Sequence, residues 1–236
     1  MMDKLTEQQK KHMAEAGQVV LNMSHGIKNI AQSMRSGREV MDKALESGDL
    51  EAAKRTWSIL RQNLGRIEKL VLDMLKFSRD ETPNLKPCDF NRLVESVVEM
   101  LRPQADQRKV SILVQVDENI KQVSMDPEQM ADVVMNLLIN AIETVESKTG
   151  QVIVRTELDA KSQQVVLRVS DNGGGIENIN QIFEPFYSTR PNVGAGLGLT
   201  ITRQIIQNHA GTIDAQSVPN KETVFTVRIP ANSPNS

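Results

Sequence analysis

Along the first third of the chain, apolar and small side chains recur at steps that alternate between three and four residues. This spacing places them on one stripe of an α-helix and is typical of helices that pack side by side. The pattern is interrupted near Gly48, which breaks a helix, and Asp49 can cap the next one. The sequence therefore predicts an antiparallel helical hairpin. The two stripes are Met13, Ala16, Val20, Met23, Ile27, Ile30, Met34, Gly37, Met41 and Ala44, then Ala53, Trp57, Leu60, Leu64, Ile67, Val71 and Met74.

A hairpin with an apolar stripe on both arms cannot cover them alone. Packing against a second copy in a four-helix bundle would cover them most economically. We therefore predict that residues 1–80 form a homodimer through the hairpin.

After the hairpin the pattern changes. Residues 81–87 carry Pro83 and Pro87 and no helical stripe, so we predict a linker there. Residues 88–236 then mix helical and alternating periods, which predicts an α+β sandwich with one layer of helices on a mixed sheet. The expected helices lie near 91–107, 126–146 and 197–209, and the expected strands near 110–116, 151–157, 165–170, 212–216 and 223–228.

Composition narrows the class of protein. The 28 basic and 30 acidic residues leave a net charge of −2, which argues against binding to nucleic acid or to an anionic membrane surface. Cys88 is the only cysteine, so no internal disulfide can form, as in a reducing compartment. No apolar run approaches the roughly 20 residues that cross a bilayer. We expect a cytoplasmic segment without membrane contact.

Two asparagines stand out on the expected helix 126–146. Asn136 and Asn140 are four residues apart and so share one helix face, among otherwise apolar neighbours. Amide oxygens can complete the oxygen shell of a Mg²⁺ ion that already holds phosphates and water. A pair of exposed or capping asparagines is an equally good interpretation of these two positions alone.

Two glycine-rich segments follow, at 171–176 and 194–199. The first comes directly after a strand and could be an ordinary turn. The second opens a helix, where free backbone N–H groups favour phosphate oxygens. It lacks the Lys-Ser/Thr of a phosphate-binding P-loop. Phe183, Phe186 and Tyr187 lie between the segments and predict a packed region.

These motifs in order resemble a known family. Asn-Leu-Leu-x-Asn-Ala, Asp-x-Gly-x-Gly, Phe-x-Pro-Phe and Gly-x-Gly-Leu-Gly-Leu are similar to the N, G1, F and G2 boxes of the histidine-kinase ATP-binding domain. That domain has the Bergerat (GHKL) fold, shared with gyrase and heat-shock chaperone ATPases. Residues 22–29 around His25 resemble the H box of the dimerisation and phosphotransfer domain, and residues 75–79 also look like the family. The resemblance covers nearly the whole chain and implies a protein histidine kinase of a two-component system.

The resemblance implies roles in binding ATP and Mg²⁺. Asp171 would hydrogen-bond the adenine amino group, Asn140 would hold Mg²⁺ and Asn136 would lie beside the phosphates. Gly173 and Gly175 would let the backbone approach the nucleotide.

It also implies a mobile ATP lid over residues 177–193, in which Arg190 meets the γ-phosphate. Gly194, Gly196 and Gly198, with Leu197 among them, would form the hinge of the lid and the phosphate cradle.

One position separates kinases from ATPases of this fold. ATPases carry a water-activating glutamate where this chain has Asn136, and an amide cannot act as a general base at neutral pH. We therefore expect poor hydrolysis and transfer of the γ-phosphoryl group to His25. His25 falls at heptad position f, which points away from the stripe into solvent.

The resemblance further implies that the phosphoryl group passes to an aspartate of a response-regulator receiver domain. Asn29 matches a position that orients water for dephosphorylating the regulator, so regulator phosphatase activity is expected as well. An upstream sensor domain or protein is expected outside this chain.

The chain departs from the family pattern at Gly26, where an acidic residue is usual, and at Ile30, where proline is usual. Gly26 keeps open the alternative of an idle nucleotide-binding scaffold. A plain ATPase is the other alternative, and Asn136 argues against it.

Overall fold

The computed structural model describes residues 7–78, 82–146, 148–188 and 196–231, with side chains from Ile27 onward in the first range, up to Phe77. The chain divides into two compact units. A helical unit contains residues 1–79 and 184–197, and an α/β unit contains residues 80–183 and 198–236. The domain boundaries expected at residues 80 and 88 stay a prediction.

The helical unit is built on the hairpin that the stripes predicted. Helix α1 (Glu7–Glu46) runs without interruption through Gly26, and α2 (Leu50–Ser78) follows after a short turn. In that turn Gly48 has a φ of 71°, a left-handed conformation that glycine adopts without cost. Asp49 caps α2, because its Oδ1 accepts a hydrogen bond from the Ala52 N–H at 2.9 Å.

The inner face of the hairpin is partly polar. Asn63 is 3% exposed, and its Nδ2 donates to the Ser33 Oγ at 2.9 Å. Gly37 leaves room for Leu60, since a Cβ at Gly37 would lie 2.8 Å from the Leu60 Cδ2. Leu70 is buried and packs with Phe77 and with Phe186 of the same unit.

The α/β unit is a helical layer on one sheet. Its elements are β1 (Lys86–Asp89), α3 (Phe90–Gln107), β2 (Ser111–Gln115), β3 (Gln122–Met125), α4 (Pro127–Thr144), β4 (Gln151–Asp159), β5 (Gln164–Asp171), a 3₁₀ turn (Ile179–Gln181), α5 (Gly198–Asn208), β6 (Thr212–Val218) and β7 (Glu222–Pro230). The five-stranded sheet has the order β2-β4-β5-β7-β6, in which β2 and β4 are parallel and the other pairs are antiparallel. A separate antiparallel pair joins β1 and β3. This confirms the predicted order of a helical part followed by a mixed α/β domain.

The core of this unit lies between the helices and one face of the sheet. Alternate residues of β4 point inward, so that Val152 and Val154 are 0% exposed. The apolar face of α4 meets them, and Leu137 and Leu138 are also 0% exposed. Each side chain of this kind contributes roughly 1.5–3 kcal/mol when it is fully buried. Helix α4, which carries both candidate asparagines, is thereby fixed to the sheet.

The β1–β3 pair was not predicted from the sequence. Lys86 and Pro87 pair with Met125 and Ser124, although both had been assigned to the linker. The four residues of β1 show no alternation of buried and exposed positions, so no local pattern marks them as a strand.

Asp126, which follows β3, joins three parts of this unit. Its Oδ1 accepts hydrogen bonds from the Glu128 and Gln129 N–H groups and so caps α4, and its Oδ2 accepts from the Asn84 N–H at 2.9 Å. Its own N–H donates to the Nε2 of buried His209, at the end of α5. Burial raises the pKa of Asp126, but the three backbone hydrogen bonds outweigh it and hold the pKa below its ordinary value.

Candidate functional site

One face of α4 forms the middle of the candidate nucleotide site. Asn136, Asn140 and Thr144 are spaced by four residues and therefore share this face, over about 12 Å. Gly198 at the start of α5 lies beside Asn136, because a Cβ at Gly198 would be 3.6 Å from the Asn136 Oδ1. Gly173 lies at the other end, where its Cβ would be 2.7 Å from the Thr144 Cγ2. Asn140 thus lies between the two glycine segments.

The two asparagine side chains are half-buried. No hydrogen bond joins either side-chain amide to another residue that the structure describes. The Asn140 carbonyl accepts from the Thr144 Oγ1 at 2.6 Å, but this bond involves its backbone. Both side-chain amides can therefore bind a ligand on this face.

Asp171 ends β5, the central strand of the sheet. It is 4% exposed, and its Oδ1 accepts a hydrogen bond from the Gly173 N–H at 2.9 Å. Its cross-strand neighbours are Val152 on β4 and Thr223 on β7, and Thr223 is 1% exposed. The carboxylate is therefore held in a fixed place beside the end of α4.

Residues 173–176 are here called the glycine loop. Contacts with other parts of the protein explain why two of its positions are glycine. A Cβ at Gly173 would lie 2.8 Å from the Asp171 Oδ1 as well as against Thr144. Gly175 has a φ of 80°, and its Cβ would lie 2.8 Å from the Pro219 Cα. Larger residues would displace protein atoms at both positions, whether or not a nucleotide is bound.

The glycine loop and the residue before it are fastened on both sides. On one side Asn172 accepts from the Gln151 N–H at 2.7 Å and donates to the Thr149 carbonyl at 2.9 Å. On the other side the Ile176 N–H donates to the Ser217 Oγ at 2.9 Å, and the Asn220 N–H donates to the Gly174 carbonyl at 2.9 Å. Ser217 and Asn220 were not singled out from the sequence. Pro219-Asn220 marks a turn, but its contact with a loop some 40 residues away has no local signal.

The second glycine segment is described in part. Gly196 has a φ of 71°, and its carbonyl accepts from the Phe186 N–H at 3.0 Å. A Cβ at Gly196 would lie 2.6 Å from the Phe186 carbonyl carbon, so the backbone at Gly196 lies directly against the backbone at Phe186. Leu197 is 1% exposed. Arg190 and Gly194 lie outside the described residues.

The start of α5 is fixed to Phe183, which belongs to the segment expected to form the lid. The Thr200 Oγ1 donates to the Phe183 carbonyl at 3.2 Å, and the Arg203 guanidinium lies 5.7 Å from the centre of the Phe183 ring. A cation at this distance over an aromatic ring contributes about 0.5–1 kcal/mol at an exposed site. These contacts hold the N-terminus of α5, with Gly198, in place beside α4.

In the helical unit, the candidate phosphoacceptor His25 lies within α1, and its side chain lies outside the described residues. Asn29, one turn further along α1, is exposed to solvent. Ile30 is half-buried, as expected for a stripe position.

Similarity to known proteins decides the family. Residues 125–233 match the family described as Histidine kinase-, DNA gyrase B-, and HSP90-like ATPase. The signal transduction histidine-protein kinase AtoS of Escherichia coli strain K12 is 27% identical over 226 residues, which cover 95% of this chain and 36% of AtoS. This chain contains the catalytic core of a histidine kinase. The kinase core spans about a third of the length of AtoS.

Solved structures agree with this assignment. The catalytic domain of the histidine kinase ThkA is 27% identical with a TM-score of 0.58, and the match covers 63% of this chain and 97% of that domain. ThkA in complex with the response regulator protein TrrA has a TM-score of 0.70, with 97% of this kinase core and 68% of that chain covered. At 22% identity this second likeness supports the fold. Within the described residues, no helix is both long and apolar enough to cross a membrane.

Proposed function

We propose that this kinase core binds ATP on the α4 face and transfers the γ-phosphoryl group to His25. The observation that carries the proposal is the position of Asn140 between two glycine segments, with the Asp171 carboxylate at one end. Adenine would bind at the Asp171 and Gly173 end. The phosphates would bind near Asn136 and Gly198, where the first N–H groups of α5 favour anionic oxygens.

The site suits Mg²⁺ bound together with ATP. Mg²⁺ is usually held by one or two protein oxygens, with phosphate oxygens and water completing its shell. The half-buried amide oxygen of Asn140 is such a ligand. Bound there, Mg²⁺ would offset negative charge on the phosphate oxygens. Across the ranges that the structure describes, no group of three or more His, Cys, Asp or Glu side chains is placed to hold a metal ion.

In the proposed reaction a neutral imidazole nitrogen of His25 attacks the γ-phosphorus in line. The P–N bond forms, the bond from the γ-phosphorus to the bridging oxygen breaks, and ADP leaves. Arg190 would stabilise charge on the transferred group. Because Asn136 occupies the position of the ATPase glutamate, no carboxylate there activates water, and hydrolysis should be slow.

The test is incubation with γ-labelled ATP and Mg²⁺. We expect protein-bound label that is lost in acid and survives in base, and that is absent from His25→Gln. His12→Gln is the matched control, because His12 lies on the same helix and should keep full labelling. Label that persists in His25→Gln, or phosphate release without labelled protein, would contradict the proposal.

The phosphoryl group would then pass to an aspartate of a response-regulator receiver domain. The fold of ThkA, which has been crystallised with the response regulator TrrA, supports this class of partner. We also propose that Asn29 orients water for dephosphorylation of the regulator, since its exposed amide lies one turn from His25. Asn29→Ala should lose most of the phosphatase activity while it keeps autophosphorylation. Equal losses in the exposed control Gln32→Ala would argue against a specific role.

We propose that the hairpin forms a homodimer. Trp57, Leu64 and Val71 recur every seven residues on α2 and are 60%, 50% and 47% exposed. A second copy would bury this row in a four-helix bundle. Sedimentation at micromolar concentration should give twice the mass of the chain, and a monomer under these conditions would argue against the dimer.

We further propose that the kinase core lies in the cytoplasm and receives its signal from an upstream sensor domain or protein. The chain aligns with 36% of the length of AtoS, so AtoS contains further regions that this sequence does not match.

A further inference from the structure

The glycine loop contacts a turn that belongs to a different part of the chain. The turn between β6 and β7, residues 218–221, lies against the loop, because a Cβ at Gly175 would be 2.8 Å from the Pro219 Cα and 3.1 Å from the Val218 carbonyl oxygen. Two hydrogen bonds of 2.9 Å hold the loop here: the Ile176 N–H donates to the Oγ of Ser217, the residue before the turn, and the Asn220 N–H donates to the Gly174 carbonyl. The loop and the turn therefore form one packed unit.

Ser217 is tied to β7, the strand that pairs with Asp171 at the adenine end of the site. Its Oγ lies 3.1 Å from the Oγ1 of Thr223 and 3.3 Å from the Glu222 carbonyl. Thr223 is 1% exposed and is the cross-strand partner of Ser217 on β6 and of Asp171 on β5. Ser217 thus holds the end of the glycine loop from a fixed position in the sheet, two strands away from Asp171.

The contact between Ile176 and Ser217 can affect ATP binding, because ordering a flexible loop costs free energy. Three consecutive glycines leave the loop more conformational freedom than any other composition would. If the loop is already held in its binding conformation, ATP need not order it, and binding is tighter. The bond from Ile176 to Ser217 is a side-chain contact at the end of the glycine run, so a single substitution removes it.

We propose that Ser217 is a positioning residue for the nucleotide: its hydroxyl holds the Ile176 N–H and keeps the glycine loop in the conformation that receives ATP. This inference rests on the proposed ATP site. Ser217 itself would touch neither ATP nor the reacting atoms. Its loss should therefore weaken ATP binding without slowing phosphoryl transfer once ATP is saturating.

The experiment compares the whole chain with Ser217→Ala and Ser217→Thr. Loss of one such hydrogen bond corresponds to a rise in the ATP dissociation constant of about fivefold to tenfold in Ser217→Ala. The labelling rate at saturating ATP should stay within about twofold. Ser217→Thr keeps the hydroxyl and should restore the native dissociation constant. In Ser217→Ala the Ile176 amide should also exchange its hydrogen faster than in the native chain.

Two matched controls separate this role from general stability. Ser162 also lies in a turn of the sheet, where its Oγ donates to the Asp159 Oδ2 at 2.7 Å, but at the far end of β5 from Asp171. Ser162→Ala should bind ATP as the native chain does. Asn220 has a φ of 57°, and Asn220→Gly keeps both that conformation and the N–H donor, so it should also bind normally.

The outcomes are distinct. If the native chain binds ATP and Ser217→Ala binds it equally well, the inference is overturned and the proposed function stands. The same holds if Ser217→Ala binds more weakly but Ser217→Thr does so too, or if exchange of the Ile176 amide is unchanged. If the native chain binds no ATP, the proposed function fails and the inference falls with it.

Discussion

The two units of this kinase core differ in how far they bury their apolar side chains. In the α/β unit Met130, Leu137 and Leu138 are all 0% exposed. In the described part of the hairpin, Ala44 and Leu70 are the buried apolar side chains, while Trp57 is 60% exposed. The α/β unit completes its core within one chain, whereas the hairpin leaves a row of large apolar residues uncovered.

This difference corresponds to two kinds of task. A nucleotide site needs side chains and loops held at fixed distances, which a continuous core on a five-stranded sheet supplies. A helical hairpin has no such core, and its inner face even includes the polar pair Asn63 and Ser33. The hairpin can obtain further burial only from another surface, and a second copy would provide one of the same composition.

The largest expected difference in stability is between two Leu→Ala substitutions, one in each unit. Leu138→Ala should lower the free energy of unfolding of the α/β unit by about 2–5 kcal/mol at any protein concentration, because it leaves a cavity in a closed core. Leu64→Ala in the hairpin should cost below about 1 kcal/mol in a dilute monomer. Its larger cost should emerge at concentrations where the dimer forms.

Chemical unfolding followed at several protein concentrations checks this prediction. Trp57 is the only tryptophan, so its fluorescence follows the hairpin, while circular dichroism also reports the α/β unit. If the effect of Leu64→Ala does not change with concentration, Leu64 is not buried by a second copy.

Replacing a glycine by alanine should change the free energy of unfolding in opposite directions in the two units. Gly175→Ala introduces a Cβ 2.8 Å from the Pro219 Cα at a φ of 80°, and should destabilise the α/β unit by about 1–3 kcal/mol. Gly65 lies within α2 and has no atom within 4 Å of its Cβ position. Gly65→Ala should therefore stabilise the hairpin by about 0.5–1 kcal/mol.

Thermal unfolding of both variants tests these signs. Gly174→Ala is the control within the glycine loop, because its Cβ position is open and its φ is not in the left-handed region. Equal losses in Gly174→Ala and Gly175→Ala would show that the loop needs flexibility, and not room for the β6–β7 turn.

The smallest expected effect concerns pH. The pKa of Asp126 in the folded protein lies below its ordinary value of 3.8, so its hydrogen bonds stabilise the α/β unit fully above about pH 4. That stabilisation is lost as the pH falls through the folded pKa, because the protonated carboxyl accepts these bonds poorly. Its size is about 0.5–2 kcal/mol, as for other helix caps.

Unfolding of the native chain and Asp126→Asn from pH 6 down to pH 2.5 measures this contribution. The difference in stability between the two proteins should be largest near pH 6 and shrink toward pH 2.5. A constant difference would mean that the charge of Asp126 is not involved. Asp49→Asn is the matched exchange at the cap of α2, where an exposed carboxylate accepts one backbone bond, and its effect should be smaller.

Much of the fold followed from local patterns. The three helices of the α/β unit and the five strands of its main sheet lie within a few residues of their predicted positions, because each has a clear helical or alternating period. The β1–β3 pair was missed, since each strand has four residues and Pro87 argues against a strand. Its pairing joins segments more than 30 residues apart, which no local pattern encodes.

The candidate site also has features that the sequence showed and features that it did not. The order of the motifs, with Asn136 and Asn140 on one helix face and Asp171 after a strand, was readable from the sequence. The roles proposed for these residues stay predictions, as does the role of His25. The supports of the site, Ser217 and Thr223, carry no motif that sequence reasoning recognised.

The sequence by itself determined which segments form helices and strands, and that their motifs are those of a histidine kinase core. These properties depend on spacing along the chain and on side-chain chemistry. Only the tertiary structure decided why Gly173 and Gly175 must be glycines, and which hydroxyl accepts the hydrogen bond from the Ile176 N–H that follows them. Those answers depend on atoms from distant segments that meet at van der Waals distance, and such meetings are set by the packing of the whole domain.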